Sequence, residues 1–152
     1  KRRKGDNDGN RSFKTNTLSD KIIFVTGKRK TSLAKVRIRD GKGVVLYNKL
    51  PYQELQMLHK LALSEPIKIS EDILGKFNFD IDIKTSGGGK ESQIQAARLA
   101  IAKALVKFTN NMNLKKSFMD YDRHLLVADT RRKEACKPDD SKARAKRQSS
   151  KR

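Results

Sequence analysis

The chain has 152 residues, and its 36 lysines and arginines against 17 acidic residues give a formal net charge of +19 at pH 7. This length allows one domain with a hydrophobic core and flanking segments, and it argues against two domains. A compact protein with so much like charge repels itself unless an anionic partner neutralises it, so the composition favours nucleic acid as the partner.

Composition also excludes several classes of protein. The single cysteine, Cys136, rules out a disulfide framework and a metal site built from thiolates. No apolar run approaches the roughly 20 residues that a membrane span needs. No apolar segment follows the basic residues 1–4 as it would in a secretory signal. We therefore expect a soluble, intracellular protein with no membrane partner, no cofactor and no metal.

The positive charge is concentrated in three stretches, residues 1–14, 27–42 and 130–152, which together hold 17 of the 19 excess charges. Residues 1–20 contain too little apolar surface to offset the entropy of ordering them, so they form either a basic arm that orders on phosphate or a solvated segment that only improves solubility. We predict a flexible basic N-terminal arm at 1–20, a globular RNA-binding domain at 21–128 and an extended basic tail at 129–152.

The first strands of the domain are predicted from their apolar patterns. Residues 22–25 are all apolar and form a short buried strand, after which Gly27 allows a turn or bulge. From residue 34 onward, apolar residues alternate with Lys35, Arg37 and Arg39, so a strand there turns all three cations to one face. Their spacing of about 6.6 to 7 Å is close to that of the phosphates along a nucleic-acid strand.

A second alternating stretch offers acidic partners for these cations. Residues 77–84 form a predicted strand in which Asp80 and Asp82 share one face. Pairing of these carboxylates with Arg37 or Arg39 is therefore an alternative to a free basic face. Two carboxylates cannot neutralise the seven cations of the internal basic stretch, so an excess of positive charge remains for a partner.

A tight turn and a return strand are predicted after the basic strand. Asp40-Gly41 supplies the positive backbone dihedrals of a hairpin, so residues 44–47 form the expected return strand. Pro51 then suits the first turn of a helix. The buried stripe predicted for that helix consists of Leu55, Leu58, Leu61 and Ala62.

Pro66 is expected to end that helix, because proline removes a backbone donor. A second short helix follows, with Ser70 as its cap and Gly75 at its end. His59 has no second imidazole or carboxylate at the spacing of metal ligands, so we expect a packing or surface role for it rather than a metal role.

A glycine triplet, residues 87–89, precedes the most helical stretch of the chain. Apolar and small residues recur there at spacings of three and four up to Phe108, which predicts a helix buried over most of its circumference. The triplet is either a cradle for a phosphate of a nucleic-acid backbone, formed by N–H groups at the helix end, or a tight strand-to-helix connection. The glycine spacing of mononucleotide and dinucleotide loops is absent.

The end of the domain carries no catalytic arrangement. A short helix is predicted at 111–119, and an apolar patch at 125–127 anchors the chain before the tail. Neither histidine nor the cysteine has a partner for acid, base or nucleophilic chemistry. Asp120 and Asp122, with Arg123 beside them, favour a salt-bridged junction rather than an acid/base pair.

Seven motifs follow one another in a recognisable order: Gly27-Lys28-Arg29-Lys30-Thr31, Ala34-Lys35-Val36-Arg37, Gly87-Gly88-Gly89 with Gln93 and Gln95-Ala96-Ala97-Arg98, Ala102-Lys103-Ala104-Leu105, Tyr121-Asp122-Arg123, Asp129-Thr130-Arg131-Arg132-Lys133-Glu134 and Ser150-Lys151-Arg152. From about residue 22 to residue 152 this order resembles the family of the ninth universally shared protein of the small ribosomal subunit. The junction Leu125-Leu126-Val127-Ala128-Asp129 is similar to the archaeal and eukaryotic cytosolic branch more than to the bacterial one.

The resemblance implies an α+β fold, an α/β sandwich of the class named after the second domain of ribosomal protein S-five, with a mixed sheet, packed helices and a long extended tail. It also implies a structural, non-enzymatic role in the head of the small subunit, in the cytoplasm, beside neighbouring ribosomal proteins. Terminal Lys151 and Arg152 would approach the anticodon stem of the peptidyl-site transfer RNA. The basic pattern and the resemblance together predict contacts with ribosomal RNA from these residues: Lys28, Arg29, Lys30, Lys35, Arg37, Gly87, Gly88, Gly89, Lys90, Arg123, Arg131, Arg132, Lys133, Lys142, Arg144, Lys146 and Arg147.

Two features of the tail depart from the family pattern. Pro138-Asp139-Asp140-Ser141 stands where the family has a glycine-rich turn, and it puts two negative charges on a segment expected near phosphate. Gln148-Ser149-Ser150 stands where the family has an aromatic residue, which removes a stacking group. Two other classes remain as alternatives: a free-standing nucleic-acid chaperone or enzyme subunit with the same fold, and a binder of acidic membranes, although no interfacial helix lies outside the core.

Overall fold

The computed structural model describes residues 21–136, 138 and 142–144. It contains a five-stranded mixed sheet with strand order β1-β2-β5-β3-β4, which confirms the predicted α+β class. The helix α2 packs directly on β1 and β2, and α1 and α3 pack in turn on α2. The strands are β1 (Ile23–Arg29), β2 (Ser32–Asp40), β3 (Val45–Tyr47), β4 (Leu50–Pro51) and β5 (Phe79–Ser86), and the helices are α1 (Met57–Leu74), α2 (Lys90–Thr109) and α3 (Met112–Tyr121), with single 3-10 turns at Tyr52–Glu54 and Arg123–Leu125.

Strand β1 is longer than the sequence predicts, and Gly27 lies inside it rather than in a turn or bulge. β1 pairs antiparallel with β2 along its whole length, with Gly27 opposite Ala34. A Cβ atom on Gly27 would lie 2.2 Å from the carbonyl oxygen of Ala96 and 2.9 Å from the Cβ of Ala100. The prediction of a turn is therefore wrong, because this glycine lets α2 approach the strand backbone.

The alternation predicted for β2 is confirmed. Its apolar side chains Ala34, Val36 and Ile38 are fully buried, whereas the intervening cations are exposed on the other face. β2 pairs antiparallel with β5. The predicted bounds of β5, residues 77–84, begin and end two residues before the observed strand. Both strands therefore bury one face against the helices and leave the opposite face open to solvent.

The predicted hairpin between β2 and β3 is wrong. β3 pairs parallel with β5, and β5 separates it from β2 in the sheet. The cause is the carboxylate of Asp80, whose Oδ1 accepts the backbone N–H groups of Lys42 at 3.0 Å and Val44 at 3.1 Å. These bonds lead the turn across the beginning of β5 to its far side. Gly43, with φ of +90°, passes close to the carbonyl oxygen of Phe77.

One helix of 18 residues, α1, replaces the two short helices predicted around Pro66. Pro66 is buried in its interior, on the face that carries Leu63 and Ile67 and packs against α2. Proline inside a helix costs roughly 3 kcal/mol, and this burial offsets the cost. Ser70 is not a cap, because its buried hydroxyl donates to the carbonyl oxygen of Ile67 at 2.6 Å.

The stripe predicted for this region is confirmed only in part. Leu55 and Ala62 pack partly buried against the core, but Leu58 is 74% exposed and Leu61 is exposed. The fully buried stripe of α1 instead follows Leu63 and its neighbours at spacings of three and four. The predicted end of the helix is confirmed, because Gly75 adopts the left-handed conformation with φ of +75°. None of the helices in the described residues is long and apolar enough to cross a membrane.

The predictions for α2 and α3 are confirmed. The stripe of α2 from Ile94 to Phe108 is buried, as is the row of alanines beside it. α3 begins after Asn111, whose side chain accepts the backbone N–H of Asn113 at 2.9 Å. Leu125 of the apolar patch is fully buried, so the domain closes immediately before the tail begins.

Candidate nucleic-acid interface

Two turns that carry predicted RNA contacts meet at one end of the sheet. The hydroxyl of Ser32, just after the β1–β2 turn, donates to the carbonyl oxygen of Gly87 at 3.0 Å. A Cβ atom on Gly88 would lie 2.0 Å from the Oγ of Ser32, and one on Gly87 would lie 2.8 Å from the carbonyl oxygen of Thr31. Both glycines have positive φ, so the triplet provides the close backbone contact of a tight connection.

The third glycine, Gly89, leaves the N-terminal end of α2 accessible. Gly89 is the N-cap of α2, has φ of −96° and makes no side-chain cap hydrogen bond. No atom lies within 4 Å of the position that its Cβ would occupy, so the approach to this residue is open. Glu91 in the first turn complements the helix dipole, and its carboxylate accepts a hydrogen bond from His59 Nε2 at 2.7 Å. The largely buried ring of His59 therefore has the packing or surface role predicted for it.

The first residues of the tail are bound to the end of β1 by an ion pair. The carboxylate of Asp129, 8% exposed, pairs with the guanidinium of Arg29, 27% exposed. The same carboxylate accepts from Arg131 at 2.8 Å. As a result the tail runs beside the β1–β2 turn, and the two segments enclose a groove of about 690 Å³. We call it the basic groove, and its lining residues are Lys28, Lys30, Thr31, Arg131, Arg132 and Lys133.

A second ion-pair cluster supports the junction below the groove. Arg98 of α2 pairs with Glu65 of α1 at 2.5 Å and with Asp122 at 2.9 Å. Asp122 also accepts the backbone N–H of His124 at 2.8 Å, which starts the 3-10 turn. The predicted salt-bridged junction is therefore present, but its cation is Arg98, whereas Arg123 is exposed beside it.

The open face of the sheet is less basic than its lysines and arginines suggest. Arg37 pairs with Asp82, its Nε lying 3.1 Å from the carboxylate, and Arg39 pairs with Asp80 at 3.3 Å. The pairing predicted as an alternative is therefore present in both cases. Lys35 lies directly opposite Lys84 of β5, and neither lysine has an ion pair within the described part of the chain.

The environment of Asp80 favours its ionised form. Partial desolvation raises the pKa of this carboxyl. The backbone N–H groups of Val44 and Lys42 and the charge of Arg39 together lower it by more, so the net pKa lies below its ordinary value of 3.8. Asp80 therefore remains a carboxylate under physiological conditions and holds both Arg39 and the turn before β3.

Farther along the tail, Arg144 turns back toward Glu134. Its Nε and a terminal nitrogen lie 2.9 Å and 2.5 Å from the carboxylate, and this hydrogen bond lowers the pKa of Glu134. Lys142 is exposed near this pair. Other residues of the predicted site lie outside the described residues: Lys146, Arg147, Lys151 and Arg152, as do Asp139, Asp140 and the whole arm at 1–20.

Two residues of the open face are absent from the predicted site. Phe24 lies in a run of apolar residues without alternation, so the pattern gives no sign that its ring points away from the core. Lys84 alternates with Asp80 and Asp82, which predicts its place on the same face but not its position directly opposite Lys35. Across the described residues, no three metal-binding side chains converge on one site.

Comparison with known proteins identifies the family. The family model described as Ribosomal protein S9/S16 matches residues 27–152. Proteins named small ribosomal subunit protein uS9 from Methanococcus vannielii and from strains of Methanococcus maripaludis are each 42% identical over 133 residues, covering 86% of this chain and 98% of theirs. These archaeal relatives confirm the resemblance predicted from the motifs. The chain belongs to the Ribosomal protein S9/S16 family, whose members are structural proteins of the ribosome and not enzymes.

Proposed function

We propose that this chain is a structural constituent of the head of the small ribosomal subunit and binds ribosomal RNA chiefly through the basic groove. The observation that carries the proposal is the convergence of cations from distant parts of the chain. The Arg29–Asp129 pair brings Arg132 and Lys133 of the tail beside Lys28 and Lys30 of the β1–β2 turn. Five cations around one groove, balanced by few acids, match the charge of a phosphate backbone.

The remaining predicted contacts extend this surface in two directions. The glycine triplet and Lys90 lie beside the β1–β2 turn, where an open helix end can receive a phosphate oxygen. Lys35 lies on the open sheet face, where Arg37 is already paired with Asp82 and contributes less. Arg123 and the tail cations Lys142, Arg144, Lys146 and Arg147 continue the surface beyond the groove. These contacts hold the protein's position, and RNA shape provides the specificity.

The last residues of the tail have a separate role in this proposal. Lys151 and Arg152 approach the anticodon stem of the transfer RNA in the peptidyl site, while the tail before them runs between RNA helices that a globular domain cannot enter. Such a segment becomes ordered as it binds. Neighbouring ribosomal proteins of the head complete the surroundings, and the assembled particle works in the cytoplasm.

Sedimentation of cell extract through a sucrose gradient tests the assignment. We expect the chain to co-sediment with small subunits in stoichiometric amount, and a chiefly free pool contradicts the proposal. Binding to isolated small-subunit ribosomal RNA should weaken with salt, with a slope of log affinity against log salt of about 0.7 to 0.9 per phosphate contact. An interaction that does not respond to salt contradicts the phosphate-binding role of the groove.

A further inference from the structure

The sheet face opposite the helices carries one prominent aromatic ring. Phe24 of β1 is 71% exposed, although it stands between two residues that pack on the core. The alternation of the strand turns its side chain to the same face as Lys35 and Arg37 of β2. A ring on the pleated surface of a paired strand has a rigid support, because the backbone on which it stands is hydrogen-bonded to its neighbour.

The residues around the ring form a shallow depression of about 290 Å³. Arg37 lies directly opposite Phe24 in the strand register, and its guanidinium forms an ion pair with Asp82. Lys35 is a diagonal neighbour of Phe24, at a separation of about 7 to 8 Å that a long side chain spans easily. The depression is lined by Phe24, Lys35, Val36, Arg37, Asp82 and Lys84.

The two lysines of this depression oppose each other. Lys35 and Lys84 are directly paired across β2 and β5, and both are exposed. Like charges in such a position destabilise a sheet. Neither lysine is matched by a carboxylate within the described residues, whereas both arginines of the same face are. An anion held between the two ammonium groups removes this repulsion.

A flat apolar ring can stack on the base of a nucleotide, and a neighbouring pair of unmatched cations can bind its phosphate. We propose that Phe24 stacks on one unpaired base of single-stranded RNA while Lys35 and Lys84 hold an adjacent phosphate. Paired bases expose no face to a ring on a sheet, so the site selects unpaired nucleotides. A membrane headgroup or an acidic peptide satisfies the lysines but leaves the ring unused. The inference rests on the proposed function and names the form of RNA that this face binds.

The ring itself can be turned into a probe, because the chain contains no tryptophan. We expect the fluorescence of a Phe24→Trp variant of the full chain to be quenched by a ten-nucleotide oligoadenylate, and not by an abasic ribose-phosphate oligomer of equal length at saturating concentration. The matched control is Met57→Trp, at a residue of α1 that is 74% exposed and lies away from the open sheet face. This control should not respond to either oligomer beyond a small nonspecific change.

Affinity gives the second measurement. Phe24→Ala should weaken the binding of oligoadenylate by roughly 5- to 150-fold, the usual effect of losing one base–aromatic stack, and should leave the abasic oligomer unaffected. The double variant Lys35→Gln/Lys84→Gln should weaken both oligomers. Circular dichroism of each variant checks that the fold is intact, and Phe24→Leu supplies a side chain that suits the strand but cannot stack.

The outcomes separate this inference from the proposed function. Equal quenching by the two oligomers, or an unchanged affinity of Phe24→Ala for oligoadenylate, overturns the stacking role of the ring. If the wild-type chain still co-sediments with small subunits in that case, the ribosomal assignment stands and only this inference fails. A chain found mainly free of the subunit would instead reject the proposed function, whatever the fluorescence shows.

Discussion

The guanidinium of Arg29 and the carboxylate of Asp129 form a partly buried ion pair that joins the last residue of β1 to the first residue of the tail. The two residues are 100 positions apart in the sequence, and their pairing determines where the tail leaves the domain. Asp129 also accepts the backbone N–H of Arg131 and pairs with its guanidinium, so the same carboxylate that attaches the tail to β1 also fixes the local conformation of its first three residues. The basic groove depends on this attachment.

Substitution of Asp129 by alanine should release the start of the tail. Arg29 would lose its partner, and we expect the free energy of unfolding to fall by about 1 to 3 kcal/mol, less than for a fully buried pair. Trypsin should then cleave after Arg131 and Arg132 several-fold faster under native conditions. Asp120→Ala, an exposed acid of α3, is the control and should change neither quantity. Unchanged cleavage in Asp129→Ala would show that the pair does not hold the tail.

Neutralising two cations of the basic groove should change the salt dependence of RNA binding. Lys30 and Arg132 are exposed and have no ion pair within the described residues, so both are available to phosphates. We expect Lys30→Gln/Arg132→Gln to reduce the slope of log affinity against log salt by about 1.4 to 1.8. The double variant Lys115→Gln/Lys116→Gln, on α3, loses the same charge outside the groove. An equal effect of the two variants would mean that net charge, not the groove, determines binding.

Gly27→Ala should destabilise the domain although it adds a single methyl group. The new Cβ meets the backbone of α2 at Ala96, so the helix must shift away from β1, at a cost of about 1 to 3 kcal/mol. Urea unfolding followed by circular dichroism measures the change. Gly89→Ala is the matched control, because its φ of −96° suits alanine and the space around it is open. Similar stabilities for the two variants would contradict the close contact.

Asp80 should make stability depend on pH in the acid range. Its pKa is lower in the folded protein than its ordinary value of 3.8, so its contribution is complete above pH 3.8 and is lost as the pH falls through the lower folded value. The difference in urea midpoint between the wild type and Asp80→Asn should therefore narrow between pH 6 and pH 3. A constant difference over that range would contradict the role of the charge.

Asp80→Ala removes the acceptor as well as the charge. The N–H groups of Lys42 and Val44 lose their partner, and we expect a loss of about 2 to 3 kcal/mol in unfolding free energy at pH 7, larger than in Asp80→Asn. Equal losses in the two variants would indicate that the carboxylate does not hold the turn before β3.

Deletion of residues 150–152 should separate assembly from transfer-RNA binding. The domain and the basic groove are untouched, so we expect normal incorporation into small subunits. Peptidyl-site transfer RNA should bind at least about tenfold more weakly to such particles, since even one hydrogen bond to a charged group contributes about 1.5 to 3 kcal/mol. Ser150→Ala serves as the uncharged control. Unchanged affinity for transfer RNA would remove the proposed role of Lys151 and Arg152.

Local patterns in the sequence predict much of this fold because they report burial directly. The alternation in β2 and the long apolar stripe of α2 each determine which face of the element is buried in the core. The pairing of Arg37 with Asp82 could be proposed from the same alternation, since two strands with opposite charges on one face form a favourable pair. The glycine triplet marks the connection into α2, but the contacts of Gly87 with Thr31 and of Gly88 with Ser32 involve a distant turn that no local pattern shows.

Other features depend on contacts that no local pattern contains. The buried stripe of α1 includes Pro66 and Ser70, residue types that predict a break and a cap when read alone. Asp40-Gly41 is typical of a hairpin, but the carboxylate of Asp80, distant in sequence, leads the chain to the far side of β5. The basic groove could not be predicted as a unit, because it exists only where Asp129 meets Arg29.

The order of strands in the sheet has a consequence for synthesis of the protein. β1 and β2 are consecutive and pair as soon as both are made, yet the second neighbour of β2 is β5, and the partners Arg37 and Asp82 are 45 residues apart. The edge of β2 that faces β5 therefore stays unpaired in a nascent chain until both α1 and β5 have been translated. Completion of the sheet waits for β5, and non-local pairing of this kind slows folding relative to the pairing of consecutive strands.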